Sequence, residues 1–272
     1  MILGIVGVGL LGGSLALAAR RRGVATYVLG TDRLPGVLAR AVERGLIDEA
    51  LPTPEAVAAR ADLTVFCTPV DQIATQALAA APHARGVLSD VGSTKAAIAQ
   101  ALAHVPHFVP AHPLAGSEKA GPEYARDDLF AGRLVILTPT AATDGTATDR
   151  VWAFWQALEA RVECLDADEH DRALALTSHL PHLIASALAG ILPPEWAPLT
   201  ASGFRDTTRL ASGSVELWRA IFLHNHGALR EALARLRTQL DRYDDALAAA
   251  DTETLSVLLE AAKSVRDGLR GG

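Results

Sequence analysis

Over residues 1–165 short apolar runs alternate with amphipathic stretches, and beyond that point the alternation stops. Residues 1–6 form an apolar run of strand length, and an alanine-rich stretch at 15–22 has helical character. A second apolar run spans 25–30, a helical pattern 36–44, and a third run, 62–67, ends in Thr68-Pro69. The rhythm continues with a helix over 71–81, a strand over 86–90, a helix over 94–103 and a strand over 107–110. Residues 133–138 give a further strand, 146–160 a helix and 162–165 the last strand. Strands spaced by single helices predict βαβ units, and hence an α/β domain on a mostly parallel sheet. Ligands of such sheets sit outside the carboxyl ends of the strands. Thr68-Pro69, residues 90–95 and residues 111–121 all fall at those ends, so three loops converge on one place.

From residue 166 helical periodicity takes over, at 169–191, 215–247 and 252–269. The pattern therefore divides the chain into a sheet domain, 1–165, and an all-α domain, 166–272. A long striped helix such as 223–247 cannot bury its apolar stripe alone; it needs its neighbours or a second subunit. By analogy with other chains in which a helical domain follows such a sheet, the helical part is expected to carry the substrate contacts and the dimer interface.

The turn after the first strand reads Gly7-Val8-Gly9-Leu10-Leu11-Gly12-Gly13-Ser14. Gly7 permits the tight strand-to-helix turn, Gly9 a close approach of pyrophosphate to backbone, and Gly12 close packing of helix on strand. The N–H groups of the new helix, with Leu10 and Leu11 at its mouth, then hold phosphates without a cationic side chain. Asp32 ends the second strand pattern where an acid meets the adenosine ribose of a Rossmann-type domain. That carboxylate favours NAD, and Arg33 beside it leaves NADP as the less favoured cofactor. Thr68 and Pro69 close the same dinucleotide groove.

Half of the 272 residues are hydrophobic and the formal net charge is −6, which allows a large core and argues against a nucleic-acid partner. No apolar run looks long enough to span a membrane, and the glycine turn begins too early to follow a signal peptide. The two cysteines, Cys67 and Cys164, fall in apolar strand patterns and read as reduced core residues of a cytoplasmic protein.

Chemistry concentrates in four places. Residues 111–121 read Ala-His-Pro-Leu-Ala-Gly-Ser-Glu-Lys-Ala-Gly, which sets His112 at the rim of the sheet as a proton acceptor. The bland alternative is a loop histidine satisfied by backbone. Asp90-Val91-Gly92-Ser93-Thr94-Lys95 reads as strand, turn and helix start, with Ser93 or Thr94 as helix cap. Ser178-His179-Leu180-Pro181-His182 puts two histidines on one helix face; further zinc ligands are missing, so no metal is expected. Gly203-Phe204-Arg205-Asp206-Thr207-Thr208-Arg209, two arginines and an aspartate around a glycine turn, is either a solvated charged loop or the source of an arginine that clasps a carboxylate. Trp218 and Phe222, four apart, read as helix packing.

These segments together resemble the prephenate dehydrogenase family of tyrosine biosynthesis, whose members act on prephenate or on its amino analogue arogenate. The resemblance covers nearly the whole chain and rests on residues 7–14, 90–95, 112–121, 137–140, 178–182 and 203–209, followed by Leu217-Trp218-Arg219. It implies an NAD-dependent homodimer with a Rossmann domain and an interlocked helical domain. It implies that His112 bonds the ring C4 hydroxyl and that Ser93 helps position that hydroxyl and the nicotinamide. Arg209 would bind substrate carboxylate, and His182 would lie near the pyruvyl side chain, leaning toward prephenate. Ser117, Glu118, Gly203 and Asp206 would surround the same pocket.

The implied reaction is oxidation of the C4 carbinol with loss of the ring carboxylate as CO₂, driven by aromatisation. The protein must orient the carbinol and accept the hydroxyl proton, so activity should rise with pH through a group of about the usual histidine pKa, ~6.5. Arogenate is the alternative substrate. Two remoter readings stay open: a hydroxyacid dehydrogenase centred on Lys95 or Lys119, and a dinucleotide sensor without catalysis.

Overall fold

The computed structural model describes residues 1–116, 119 and 121–269. Strand β1 (Ile2–Val6) is almost wholly buried, as a central parallel strand covered by helices on both faces must be. Helix α1 (Leu10–Arg21), strand β2 (Tyr27–Thr31), α2 (Pro35–Glu43), a two-residue β3 (Glu49–Ala50) and α3 (Pro54–Ala58) follow. Then come β4 (Leu63–Phe66), α4 (Val70–Ala80), β5 (Val87–Asp90), α5 (Ala96–Ala101) and β6 (Phe108–Val109). The strands lie in the order β3-β2-β1-β4-β5-β6, and every pairing is parallel. The winding reverses between β1 and β4, and the crevice beyond their carboxyl ends is where such sheets bind dinucleotides.

Two glycines make that crevice possible. Gly7 has φ +93°, and a Cβ there would lie 2.9 Å from the Cys67 carbonyl. A Cβ on Gly12 would fall 2.2 Å from the Gly7 oxygen, so α1 can start this close to β1 only without one.

The sheet domain departs from the predicted pattern after β6. Residues 107–110 do not form one strand of a single sheet. Pro110 has no N–H to donate, β6 stops before it, and the chain enters a second sheet at β7 (Ala111–Pro113). Strand β8 (Leu134–Leu137), helix α6 (Gly145–Ala157) and strand β9 (Arg161–Cys164) complete it, in the order β7-β8-β9. Strand β7 is antiparallel to β8, and His112 is in register with Ile136. His112 is therefore a strand residue, not a loop residue. Cys67 is half-buried and Cys164 exposed, so the expected core placement of Cys164 fails; both thiols are free.

A buried ion pair holds the junction between the sheets. Lys95, fully buried, is salt-bridged to Asp90 at the end of β5. Its ammonium also donates to the Ala111 carbonyl at 2.9 Å, and the Asp90 carboxylate accepts the Ala111 N–H at 3.0 Å. The residue before His112 is thus gripped at both of its peptide groups.

The helical half begins with α7 (Ala167–Leu174), continues through one π turn (Ala175–His179) into α8 (Leu180–Gly190), and adds α9 (Ser202–Thr208). Helices α10 (Val215–His224), α11 (His226–Ala248) and α12 (Thr252–Gly268) complete it. The predicted single helix over 215–247 is broken at Asn225, and the predicted glycine turn at 203 is instead part of α9. The continuous helix Ala167–Gly190 is 24 residues long and apolar enough to cross a membrane, contrary to the expectation that no such stretch exists. Its residues Leu174, Ala175, His179, Leu180, His182 and Ala185 are buried against protein.

Replacing Lys95 with Met leaves the Asp90 carboxylate buried without its cation. Lys95→Met is expected to lower stability by about 3–5 kcal/mol, the usual loss on breaking a buried pair, read as a fall in the urea midpoint.

Candidate functional site

A cavity of about 790 Å³ opens between the two halves, and Ser93, His112, His179, His182, Arg209 and Trp218 are among its walls. A second cavity, of about 820 Å³, shares Leu114, Ala115, Gly116 and Lys119 with the first and reaches Leu10 at the mouth of α1. The second cavity thus adjoins the first and extends to the start of α1.

His112 enters the cavity from β7, and its other ring nitrogen is engaged behind it. Nδ1 of His112 lies 2.8 Å from Nε2 of His170, and Nδ1 of His170 lies 2.8 Å from Oδ1 of Asp171. The Asp171 carboxylate also accepts the backbone N–H groups of Lys95 (2.8 Å) and Ala96 (2.9 Å). Burial alone would raise the pKa of Asp171; the hydrogen bonds from His170 and the two amides outweigh it and hold the carboxyl below its usual range. An ionised Asp171 requires a proton on Nδ1 of His170. Nε2 of a neutral His170 is then an acceptor, so Nδ1 of His112 carries the proton. The remaining nitrogen of His112, Nε2, is left with a lone pair. Proton acceptance at that atom is what an oxidation of a carbinol needs.

Burial pushes the pKa of His112 well below the ordinary histidine value, and His170, the Lys95 ammonium and His179 act in the same direction. An ordinary histidine pKa, expected from the sequence, is thus corrected: the imidazole is largely buried, beside one ammonium and two further imidazoles. His179 is shifted to about 4, chiefly by burial. The Asn225 amide donates to the Asp171 carbonyl at 2.8 Å and lies 3.1 Å from Nδ1 of His179. A backbone carbonyl only accepts, which fixes the amide orientation and makes Nδ1 of His179 the acceptor and its Nε2 the N–H. The break between α10 and α11 is where this side chain is supplied.

His182 stacks on Trp218 with centroids 3.5 Å apart and planes at 18°. Burial lowers its pKa, and its Nδ1 has no hydrogen-bond partner among the described residues. Trp218, read as helix packing, is thus also a wall of the cavity.

At the glycine turn, a Cβ on Gly9 would meet nothing within 4 Å, so the backbone there is open to a ligand. The Gly13 N–H donates to the Gly9 carbonyl at 2.9 Å, leaving the N–H groups of Leu10, Leu11 and Gly12 at the helix mouth. Asp32 accepts the amides of Val8 (3.1 Å) and Leu34 (3.0 Å), which ties its carboxylate to the glycine turn. Arg33 is exposed beside it. Thr68 abuts Gly7, and Pro69 precedes α4. An open backbone turn, a helix mouth and a fixed carboxylate suit a dinucleotide with a free ribose diol.

Not every predicted residue arrives here. Gly203 lines a different, shallow cavity beside Trp196, and Asp206 is exposed on α9; neither borders the space that Arg209 lines. Helix formation over 202–208 turns them outward. Ser117 and Glu118 lie outside the described residues. Neither Ser93 nor Thr94 caps α5; that helix starts later, and Asp171 caps it from the helical half. Lys95, weighed as a catalytic lysine, is committed to Asp90 and Ala111 and does not border the cavity. His170, Asp171 and Asn225 went unpredicted: the charged run 168–172 reads as a solvated helix start, and no spacing ties Asp171 to residues 95 and 96.

With this geometry in place, comparison with known proteins adds the lineage. Residues 15–164 match the model for the nucleotide-binding domain of prephenate dehydrogenase, and residues 166–261 match that for its dimerization domain. The chain is 33% identical to the cyclohexadienyl dehydrogenase of Zymomonas mobilis, over 98% of this chain and 96% of that protein. It is 32% identical to the prephenate dehydrogenase of Bacillus subtilis, over 97% of this chain and 75% of that one. The Aquifex aeolicus prephenate dehydrogenase, solved with hydroxyphenyl propionate and NAD⁺, superposes with a TM-score of 0.92 at 31% identity, covering 99% of this chain and 98% of that one. The Synechocystis arogenate dehydrogenase gives a TM-score of 0.85 at 32% identity, covering 99% and 100%. With a nucleotide-binding sheet, a dimerization half and a histidine-lined cleft between them, the chain belongs to the prephenate dehydrogenase family.

Proposed function

We propose that this protein catalyses the NAD-dependent oxidative decarboxylation of prephenate to 4-hydroxyphenylpyruvate. One observation carries the reading: an imidazole whose free nitrogen is fixed as an acceptor shares a single cavity with the Arg209 guanidinium. We assign residues 1–165 to dinucleotide binding and 166–272 to substrate binding and dimerisation. NAD, when bound along the Gly7–Asp32 crevice, supplies the hydride acceptor. The chain's own residues do the rest. Arg209 pairs with a substrate carboxylate by its planar fork. Ser93 borders the cavity beside His112 and helps orient the C4 hydroxyl. His112 takes the hydroxyl proton at Nε2. His182, held flat against Trp218, faces the side chain that distinguishes the keto acid from the amino acid. The likeness to an arogenate dehydrogenase keeps arogenate as the alternative substrate.

Two free cysteines support a reducing, cytoplasmic setting. A net charge of −6 supports a small-molecule partner over nucleic acid. The helical half supports a homodimer. Val265 lies two turns beyond the buried Leu258 on the same face of α12, yet is 70% exposed, and Val257 and Leu259 are 58% and 60% exposed. A second copy of the chain would bury this apolar surface.

Mixing the protein with NAD and prephenate, and in parallel with arogenate, should raise the absorbance of reduced nicotinamide, faster with prephenate. No reduction with either substrate overturns the reading. The neutral form of His112 is the active one, so kcat/KM should be flat through neutral pH and fall only as pH drops below the ordinary histidine range. His112→Ala should cost about 10²–10⁴-fold in kcat. Arg209→Ala should weaken substrate binding by about 2–5 kcal/mol and leave NAD affinity unchanged in a direct titration. Val265→Glu should shift the protein from dimer to monomer in light scattering.

A further inference from the structure

We propose that the proton taken from the substrate hydroxyl does not stay on His112 but passes to His170, where it is held against the Asp171 carboxylate. This deepens the function proposed above and rests on it. The chain of contacts is complete: His112 Nδ1 to His170 Nε2 at 2.8 Å, and His170 Nδ1 to Asp171 Oδ1 at 2.8 Å. Both imidazoles are buried, His170 completely.

The step balances without an outside reagent. The substrate O–H bond breaks and a His112 Nε2–H bond forms. The His112 Nδ1–H bond breaks and a His170 Nε2–H bond forms. His170 keeps its Nδ1–H and donates it to Asp171, so the result is a neutral His112 and an imidazolium–carboxylate pair. A bound dinucleotide would serve as hydride acceptor, and loss of CO₂ returns an electron pair to the former hydroxyl oxygen. The proton then passes back from His170 through His112 Nε2 to that oxygen, so the product leaves as the phenol and no net proton is released.

The surroundings of the two rings give the reason. A positive charge on His112 would sit next to the peptide gripped by the Lys95 ammonium. A positive charge on His170 touches a carboxylate. The ionisable groups that contact or act on His170 are His112 from β7, its neighbour Asp171, and His179 from the same continuous helix; the Lys95 ammonium acts on His112. Asp171 is the only anion in that set, and Asp90 behind Lys95 is already paired. Opposite charges in contact at low dielectric attract far more strongly than in water, so moving the charge by one ring lowers the barrier to taking the proton.

His170→Gln separates relay from scaffold. A glutamine carbonyl can accept from His112 Nδ1–H and its amide can donate to Asp171, so the tautomer of His112 is preserved, but the amide cannot hold the proton. With the hydride step made rate-limiting by deuterium at the substrate carbinol, kcat in mixed H₂O and D₂O should follow a bowed proton inventory in the wild type, as two protons move. In His170→Gln the inventory should become linear and kcat should fall about 10²-fold, with KM and NAD affinity unchanged. A linear inventory in the wild type overturns the relay, as does a variant with wild-type kcat. A variant that loses KM and kcat together, with its inventory still bowed, assigns His170 a structural role and also overturns it. If the variant does not fold, the wild-type inventory alone decides. Absence of any NAD reduction by the wild type would instead remove the function on which the relay rests.

Discussion

The Asp171 carboxylate is the point on which the site's geometry depends. It comes from the helical half, caps the first turn of α5 in the sheet domain through two backbone N–H groups, and accepts a proton-bearing nitrogen of His170. A carboxylate taken out of water without donors would be prohibitively costly; three donors make it tolerable and fix where it sits. Once it is ionised, the protonation pattern of two imidazoles follows by exclusion, and the lone pair of His112 is directed at the cavity. Domain docking and active-site tautomer are one interaction seen from two sides.

A second buried carboxylate, Asp90, complements the first. It pairs with Lys95 and holds the Ala111 peptide, so the backbone of His112 is fixed from the sheet side while its ring is fixed from the helical side. The two acids have opposite electrostatic consequences. Asp90 is neutralised within hydrogen-bond distance and leaves the adjoining ammonium to disfavour a cation on His112. Asp171 has amides and an imidazole for partners, so its charge is available to the ring next to it.

The sheet domain was legible because its periodicities are local: strand runs, single crossover helices and a glycine turn each occupy a few consecutive residues. His112, Ser93 and Arg209 were legible from motif, and they line one cavity. What the sequence hid is what long-range contacts decide. Nothing in Asp168-Glu169-His170-Asp171-Arg172 distinguishes a buried pair from a solvated helix start, and the partners of Asp171 lie 75 and 76 residues earlier. Asn225 looked like one more helical position because its role is to leave the helix. Gly203 suggested a turn, although a glycine can sit in a short exposed helix when no neighbour needs its freedom.

The π turn at Ala175–His179 shows how a local defect serves the site. Pro181 lies inside a continuous helix, has no N–H for Thr177, and its ring would strike that residue's carbonyl in a regular α-helix. One extra residue in the turn relieves the clash. It also resets the helix face. His170 and His182 are twelve positions apart. A regular α-helix turns about 100° per residue and would leave them roughly 120° apart, so a straight helix facing His170 to His112 would carry His182 toward the side. Taking back one residue of twist brings them to within about 20° of each other. The proline in Ser-His-Leu-Pro-His therefore does more than interrupt a hydrogen bond. It lets one helix present a histidine to Asp171 and His112 near its start and another to Trp218 about three turns beyond, on nearly the same side of the helix.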